Sequence, residues 1–235
     1  MVNKIAVLIS DKGTGSNLAA ILQAIDDGII RNGKVTVVVS DKKEAKGLIH
    51  ACKRNIPAEI KGLKEYLQQG KTRQNYDYDL GVMLKMKYHV DLVVLAGWML
   101  ILGKNFLKYF PDKVINLHPG LLPDGDIDYL ILSDGIKVKA IRGLHTDAAV
   151  QFAIDHHYPV TGSTVHFVTP LVDQGPVIIR SEVKIKNKDN VKTLYQRMKK
   201  AEHKILPEAI ALFCDNRLKI EDGRVIIKDA ETSSA

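Results

Sequence analysis

Residues 114–123 read VINLHPGLLP, an apolar run that carries one carboxamide, Asn116, and one imidazole, His118, before it ends at two prolines. In an extended strand, side chains repeat their direction every second residue, so Asn116 and His118 share a face and Leu117 points away. Pro119 has no N–H and biases His118 toward an extended backbone, which places the pair where a strand stops and a loop begins. Open α/β sheets bind ligands at that edge. Taken alone, the stretch is equally a strand end with a hydrogen-bonded histidine in a turn.

Outward from it, apolar runs alternate with helical patterns. KIAVLIS, SNLAAILQAIDDGII, KVTVVVS, EAKGLIHACKRN and IPAEIK read in turn as strand, helix, strand, helix and short strand, the rhythm of a parallel sheet. The periodicity predicts a helix over 72–89, and DLVVLAG at 91–97 is apolar enough to be buried on both faces. A short helix near NFLKYF leads into VINLH. HTDAAVQFAIDH reads as a helix, STVHFVT and PVIIRSEVKI as strands, and VKTLYQRMKKAEHKILPEAIALFCD as a long amphipathic helix interrupted or bent near Pro207. RLKIEDGRVIIKD holds an Asp-Gly turn between β-rich runs and predicts a hairpin. Residues 124–142, DGDIDYLILSDGIKVKAIR, carry a second such signal beside the Asn116–His118 pair, where a hairpin would serve as a flap over the cleft or as a contact between subunits. With no internal repeat and no linker, 1–235 is expected to form one domain, with 124–142 inserted and 228–235 frayed.

The 235 residues suffice for a full core. Cys52 and Cys214 form no CxxC pattern, which argues against a disulfide framework and a zinc ribbon. MVNKIAVLIS lacks a cleavage-type site, and no stretch approaches about 18 apolar residues, so a cytoplasmic location and no membrane contact are expected. The net charge of +7 suits an anionic ligand. Its lysines are scattered, without the aromatic-interleaved stripe of nucleic-acid binders, so small phosphorylated or carboxylated substrates are expected.

GTGSN at 13–17 opens the first helix, where glycines let an anion approach backbone N–H groups. It is neither the dinucleotide fingerprint, because Leu18 occupies the third glycine position, nor a P-loop. A phosphate held by Gly15, Ser16 and Asn17 is the preferred reading; a plain turn with Ser16 as N-cap is the alternative. Asp173 lies in LVDQGPVI, where Gly175 and Pro176 enforce a turn, and its carboxylate either caps that turn or orients His118. His166 alternates with apolar neighbours as a hydrogen-bonded core histidine does. His156 and His157 cannot share a helix face, no HExxH occurs, and Met83 and Met86 read as helix core, so no metal is expected.

GTGSNL, DLVVLAGWMLIL, VINLHPGLLP, GLHT, TGSTVHFVTPLVDQGPVI and AEHKILP, in this order, resemble the phosphoribosylglycinamide formyltransferase family over about residues 3 to 220. The resemblance implies a Rossmann-like α/β formyltransferase fold, a mostly parallel sheet flanked by helices. It further implies transfer of a formyl group from 10-formyltetrahydrofolate, a folate co-substrate, to the amine of glycinamide ribonucleotide in purine synthesis, by a monomer or homodimer. It assigns catalysis to Asn116, His118 and Asp173. Asn116 and a protonated His118 would donate to the formyl oxygen, while Asp173 keeps His118 charged and positions a water that relays the proton. It assigns the substrate phosphate to Gly15, Ser16 and Asn17 and the ribose to Glu202. Folate falls to Arg73, to Trp98, Met99, Leu100, Ile101 and Leu102, to Asn116, and to the loop Thr169, Pro170, Leu171, Val172 and Asp173.

The chain departs from the family pattern in three places. Trp98-Met99-Leu100 stands where the family usually has Phe-Met-Arg, Gly120 where it usually has Ser, and 124–142 where it has a short connection. Within the superfamily, methionyl-tRNA formyltransferases normally carry a further C-terminal domain and formyltetrahydrofolate hydrolases an N-terminal one, for which this length leaves no room. Amino-sugar formyltransferases are a further alternative. A non-catalytic nucleotide-binding protein of the same fold is the alternative outside enzymology; a nicotinamide oxidoreductase is disfavoured by the missing third glycine.

Overall fold

The computed structural model describes residues 2–10 and 14–229. Its centre is a sheet of seven strands: β1 (Asn3–Ile9), β2 (Gly33–Ser40), β3 (Ala58–Ile60), β4 (Leu92–Leu95), β5 (Val114–His118), β8 (Val160–Phe167) and β9 (Val177–Lys184), in the order β3-β2-β1-β4-β5-β8-β9. The pairs from β3 through β5 are parallel, whereas β8 runs antiparallel to both neighbours. The chain moves outward from β1 to β3 and then crosses back to β4, so strand order reverses between β1 and β4 and opens a crevice at their carboxyl ends. The mostly parallel sheet expected from the alternating pattern is present.

Strand parity sorts the two faces. Ile5, Val7, Leu92, Val94, Ile115, Leu117 and Val165 pack with helices α1 (Ser16–Asp26) and α7 (Val191–Cys214) through Leu18, Ile21, Leu206 and Ile210. On the opposite face Ala6, Leu8, Val93, Leu95 and Val114 meet α4 (Arg73–Val82) and α5 (Lys104–Leu107) through Tyr76, Leu80, Phe106 and Leu107. Each fully buried aliphatic side chain contributes about 1.5–3 kcal/mol. Asn116 and His118 have the parity of Val114 and therefore face the α4–α5 side.

The helices differ from the sequence reading in their ends. A left-handed Gly28 follows α1 and stops it short of Ile30. The second helix, α2 (Leu48–Lys53), begins after Gly47, whose backbone lies against Gly15. A short helix, α3 (Leu63–Gln68), occupies a stretch to which the pattern assigned nothing. Helix α4 starts in a Thr72–Asn75 capping box and continues as a π-helical turn over Met83–Lys87. Helix α6 (Thr146–Asp155) follows GLHT as expected. Helix α7 runs unbroken through Pro207, which is buried with Ile205, Leu206 and Ala209; tertiary packing outweighs the one lost backbone bond.

Both Asp-Gly signals mark hairpins. Asp222 and Gly223, at φ 48° and 74°, turn β10 (Leu218–Glu221) into β11 (Arg224–Ile227) as a two-residue loop with two left-handed residues does. Within 124–142, β6 (Tyr129–Ile131) pairs with β7 (Lys137–Lys139) around Ser133-Asp134-Gly135. This hairpin does not cover the crevice. Leu132 and Val138 pack on Leu121 and Val160, and Ser133 donates through its N–H and Oγ to the Glu182 carboxylate of β9 at 2.9 and 2.6 Å. A two-stranded hairpin needs such an apolar floor, and the floor nearest to it is beside β8 and β9.

Candidate functional site

His118 ends β5, and the antiparallel register sets Asn116 opposite His166 and His118 opposite Thr164. All four side chains therefore share one face, and the β8–β9 connection returns over it to deliver Asp173. The Asp173 carboxylate lies 3.3 Å from His118 Nδ1 and 3.6 Å from His166 Nε2, and accepts from the Gly143 N–H at 2.8 Å. His166 Nδ1–H donates to the Phe167 carbonyl at 2.8 Å, and its Nε2 lies 3.2 Å from the Asn116 carboxamide nitrogen. His166 is thus the hydrogen-bonded core histidine of the sequence reading, but its partners are Asn116 and Asp173. Cross-strand register, which no local pattern reveals, makes that connection.

Burial lowers the pKa of His118 below the ordinary histidine value, against the opposing pull of Asp173 and of the Ile141 carbonyl, which His118 Nε2 meets at 2.6 Å. Asp173 therefore acts on His118 in the expected direction but does not outweigh desolvation. Burial also opposes the charge on Asp173, yet the bond to His166, the nearness of His118 and the Gly143 N–H together hold its carboxyl at about 2.

A cleft of about 570 Å³ opens beside these groups, within the range of small-molecule sites. Asn116, His166 and Asp173 form its polar end, and Trp98, Met99, Leu100, Ile101 and Leu102 one wall. Thr169, Leu171 and Val172 form another wall, and Gly143–Thr146 close a third side. The wall from Trp98 is held by two bonds from outside it: Ser10 Oγ accepts the Met99 N–H at 3.1 Å, and Asp77 accepts the Gly103 N–H at 3.0 Å. Trp98 is buried and its indole N–H has no partner among the described residues. Two expected residues stand apart from the lining. His118, 3% exposed, lies behind it, and Arg73 binds Asp77 and the Ile101 carbonyl, so that its guanidinium braces the wall. Pro170 is exposed at the rim of the Thr169–Asp173 loop.

The remaining expected residues gather on the other face. Gly15, at φ 74°, is the N-cap of α1, without a side-chain capping bond, so Ser16 stands in the first turn. A Cβ on Gly15 would lie 2.3 Å from Gly47 Cα, which requires glycine here. Gly13 lies outside the described residues. Asn17 Nδ2–H reaches Glu202 at 3.5 Å, and the buried Glu202 carboxylate also accepts from Ser163 Oγ at 3.0 Å and Tyr195 OH at 3.4 Å. Tyr195 carried no sequence signal beyond its place one helical face from Glu202. Burial raises the Glu202 pKa despite those donors. A carboxyl whose folded pKa is raised stabilises the fold below its unfolded value, and that contribution is lost as pH rises through the folded one. Glu202→Gln, which cannot ionise, should therefore gain thermal stability relative to the parent chain between pH 4 and pH 7. Melting curves at both pH values decide this; a constant difference between the two chains would count against it.

Among the described residues no cluster of His, Cys, Asp and Glu is arranged to hold a metal ion, and no helix is long and apolar enough to cross a membrane.

Comparison with known proteins places this geometry. The profile of the formyl transferase family matches residues 3–210. Glycinamide ribonucleotide transformylase 1 from Symbiobacterium toebii superposes with a TM-score of 0.83 at 39% identity, covering 97% of this chain and 95% of that one. Phosphoribosylglycinamide formyltransferase of Escherichia coli (strain K12) is 35% identical over 220 residues, 93% of this chain and 91% of the relative. The Homo sapiens trifunctional purine biosynthetic protein adenosine-3 is 34% identical over 94% of this chain, which spans only 19% of that protein's length. With a match across most of its length, and an Asn-x-His pair at a strand end met by a returning aspartate, the chain belongs to the formyl transferase family.

Proposed function

We propose that this chain transfers the formyl group of 10-formyltetrahydrofolate to the amine of 5-phosphoribosyl glycinamide, a step of purine synthesis. The observation that carries the reading is the convergence of Asn116, His166 and Asp173 at the polar end of a largely apolar cleft, with the anion-suited N-terminus of α1 and Glu202 around the strand ends on the other face. The relatives and structures similar to this chain bear names of that activity.

In this reading the folate ring lies between the Trp98–Leu102 wall and the Thr169–Asp173 loop, with Arg73 acting through its hold on the Ile101 carbonyl. The ribonucleotide phosphate meets backbone N–H groups at Gly15, Ser16 and Asn17, and its ribose meets Glu202. The substrate amine attacks the formyl carbon, a C–N bond forms, and negative charge grows on the formyl oxygen. Asn116, aimed by His166 and fixed on a rigid strand end, donates to that oxygen. His118, behind it, stands 3.3 Å from the Asp173 carboxylate through Nδ1 and helps to place that carboxylate. Asp173, ionised at neutral pH, accepts through a water the proton lost by the attacking nitrogen and returns it to the departing folate nitrogen as the old C–N bond breaks. Atoms and charge balance without a further reactant.

The deciding measurement is turnover with both substrates. Acceptor-dependent consumption of 10-formyltetrahydrofolate, with formylated ribonucleotide as product, is expected. Release of formate that does not depend on the acceptor would point to a hydrolase, and no consumption at all to a binding protein of this fold.

A further inference from the structure

Three successive residues at the return end of the inserted hairpin touch the His118–Asp173 pair. The Ile141 carbonyl accepts from His118 Nε2 at 2.6 Å, Arg142 Nε donates to the Asp173 carbonyl at 3.0 Å, and the Gly143 N–H donates to the Asp173 carboxylate at 2.8 Å. Arg142 also spans the insertion itself. Its Nη2 donates to the Gly125 carbonyl at 2.7 Å, and Nη1 and Nη2 donate to the Ile127 carbonyl, each at 3.0 Å. One planar guanidinium thus ties the outgoing leg of the hairpin, its return leg and the turn carrying Asp173. Gly120 completes the arrangement from the other side. A Cβ there would stand 2.9 Å from His118 Nε2, 3.2 Å from its Cδ2 and 3.4 Å from the Ile141 carbonyl, so any side chain would push the ring off its seat.

We propose that Arg142 is a positioning residue for the reaction: through it the inserted hairpin, standing away from the cleft, holds His118 and Asp173 in register, and Gly120 leaves the space in which this happens. The inference rests on the formyl-transfer reading for its kinetic arm only. Groups facing the His118 ring are Asp173 and His166 from β8 and its following loop, and Arg142 with the Ile141 carbonyl from the return leg. With His118 buried and Arg142 nearby, burial and that positive charge both disfavour the imidazolium.

The test uses the full chain with Arg142→Ala, Arg142→Lys and, separately, Gly120→Ser. Kinetics are measured with both substrates. The His118 ring is titrated by NMR, its resonance identified by its loss in a His118→Ala chain. In Arg142→Ala, kcat should fall about 10- to 100-fold, the scale of a small misplacement of reacting groups, with either KM changed by no more than about threefold. The His118 titration should move upward, as a positive charge is removed and water reaches the ring. Arg142→Lys keeps the charge without the fork and should recover part of kcat. Gly120→Ser should move the same resonance with Arg142 intact, and so carries the test if Arg142→Ala does not fold. Unmoved His118 titrations in the variants that fold overturn the proposal, even if kcat drops, because the loss would then be merely structural. A kcat of Arg142→Ala within about twofold of the parent overturns it as well. Should the parent chain transfer no formyl group, the titration still decides whether the hairpin seats His118.

Discussion

Asp173→Asn and His118→Ala should each lower kcat by about 10² to 10³, the cost of losing one preorganised group at a developing oxyanion or its proton relay, while leaving the KM for the ribonucleotide nearly unchanged. The separation follows from the sheet. Asp173 and His118 lie on the face toward α4 and α5, whereas Asn17 and Glu202 meet on the face toward α1 and α7. Asn at 173 keeps the shape and an oxygen for the Gly143 N–H, but it removes the charge that His118 Nδ1 and His166 Nε2 face. Acid does not imitate this substitution in the neutral range. With its carboxyl held at about 2, Asp173 contributes stability above the ordinary aspartate pKa and loses it only as pH falls toward that value. Steady-state kinetics on both variants check the roles; either one retaining more than about a tenth of the parent kcat would sink them.

Gly175→Ala is expected to damage the fold and the site together. A Cβ at this position would stand 1.8 Å from the Phe167 carbonyl oxygen and 2.8 Å from its carbon. Those are backbone atoms of the last residue of β8, so no side-chain rotation relieves the overlap. Forcing such a contact costs about 1–3 kcal/mol or more, which for a chain of this size lowers Tm by about 2–12 °C. The turn that moves is the one that carries Asp173, so kcat should fall along with Tm. Gly135 is the contrast. It lies at φ 85° with nothing within 4 Å of a built Cβ, so alanine there meets only left-handed strain, about 1–2 kcal/mol. Calorimetry and turnover on the two alanine variants separate the cases, and equal Tm values would show that the crowding at Gly175 is relieved at little cost.

The strands were legible because apolar runs of four to eight residues bounded by turn residues have few alternatives, and the two Asp-Gly hairpins because their turn demands left-handed backbone. Helix ends were less so: Gly28 and Gly47 set them through backbone geometry and a close glycine pair, neither of which alters the hydrophobic period. In the site, Asn116 and His118 announced themselves by spacing on one strand. His166 did not, since its role arises from the register of β5 against β8, and the Ile141–Gly143 leg did not, since its bonds reach back 23 residues to His118 and forward 30 to Asp173. The flap reading of the insertion failed for a related reason. Its amphipathic alternation required an apolar floor but did not say which one, and Leu121 and Val160 supplied it.

The contact of Asn17 with Glu202 joins residues 185 positions apart, across helices α1 and α7. During synthesis, then, the strand end bearing Asn116 and His118 leaves the ribosome well before the proposed ribonucleotide subsite has its second half. A nascent or prematurely ended chain lacking α7 would carry the groups proposed to act on the formyl carbon and the proposed phosphate site, without the carboxylate proposed for the ribose. In the proposed reading, the acceptor's ribose contact is thus synthesised after the strand end that carries Asn116 and His118.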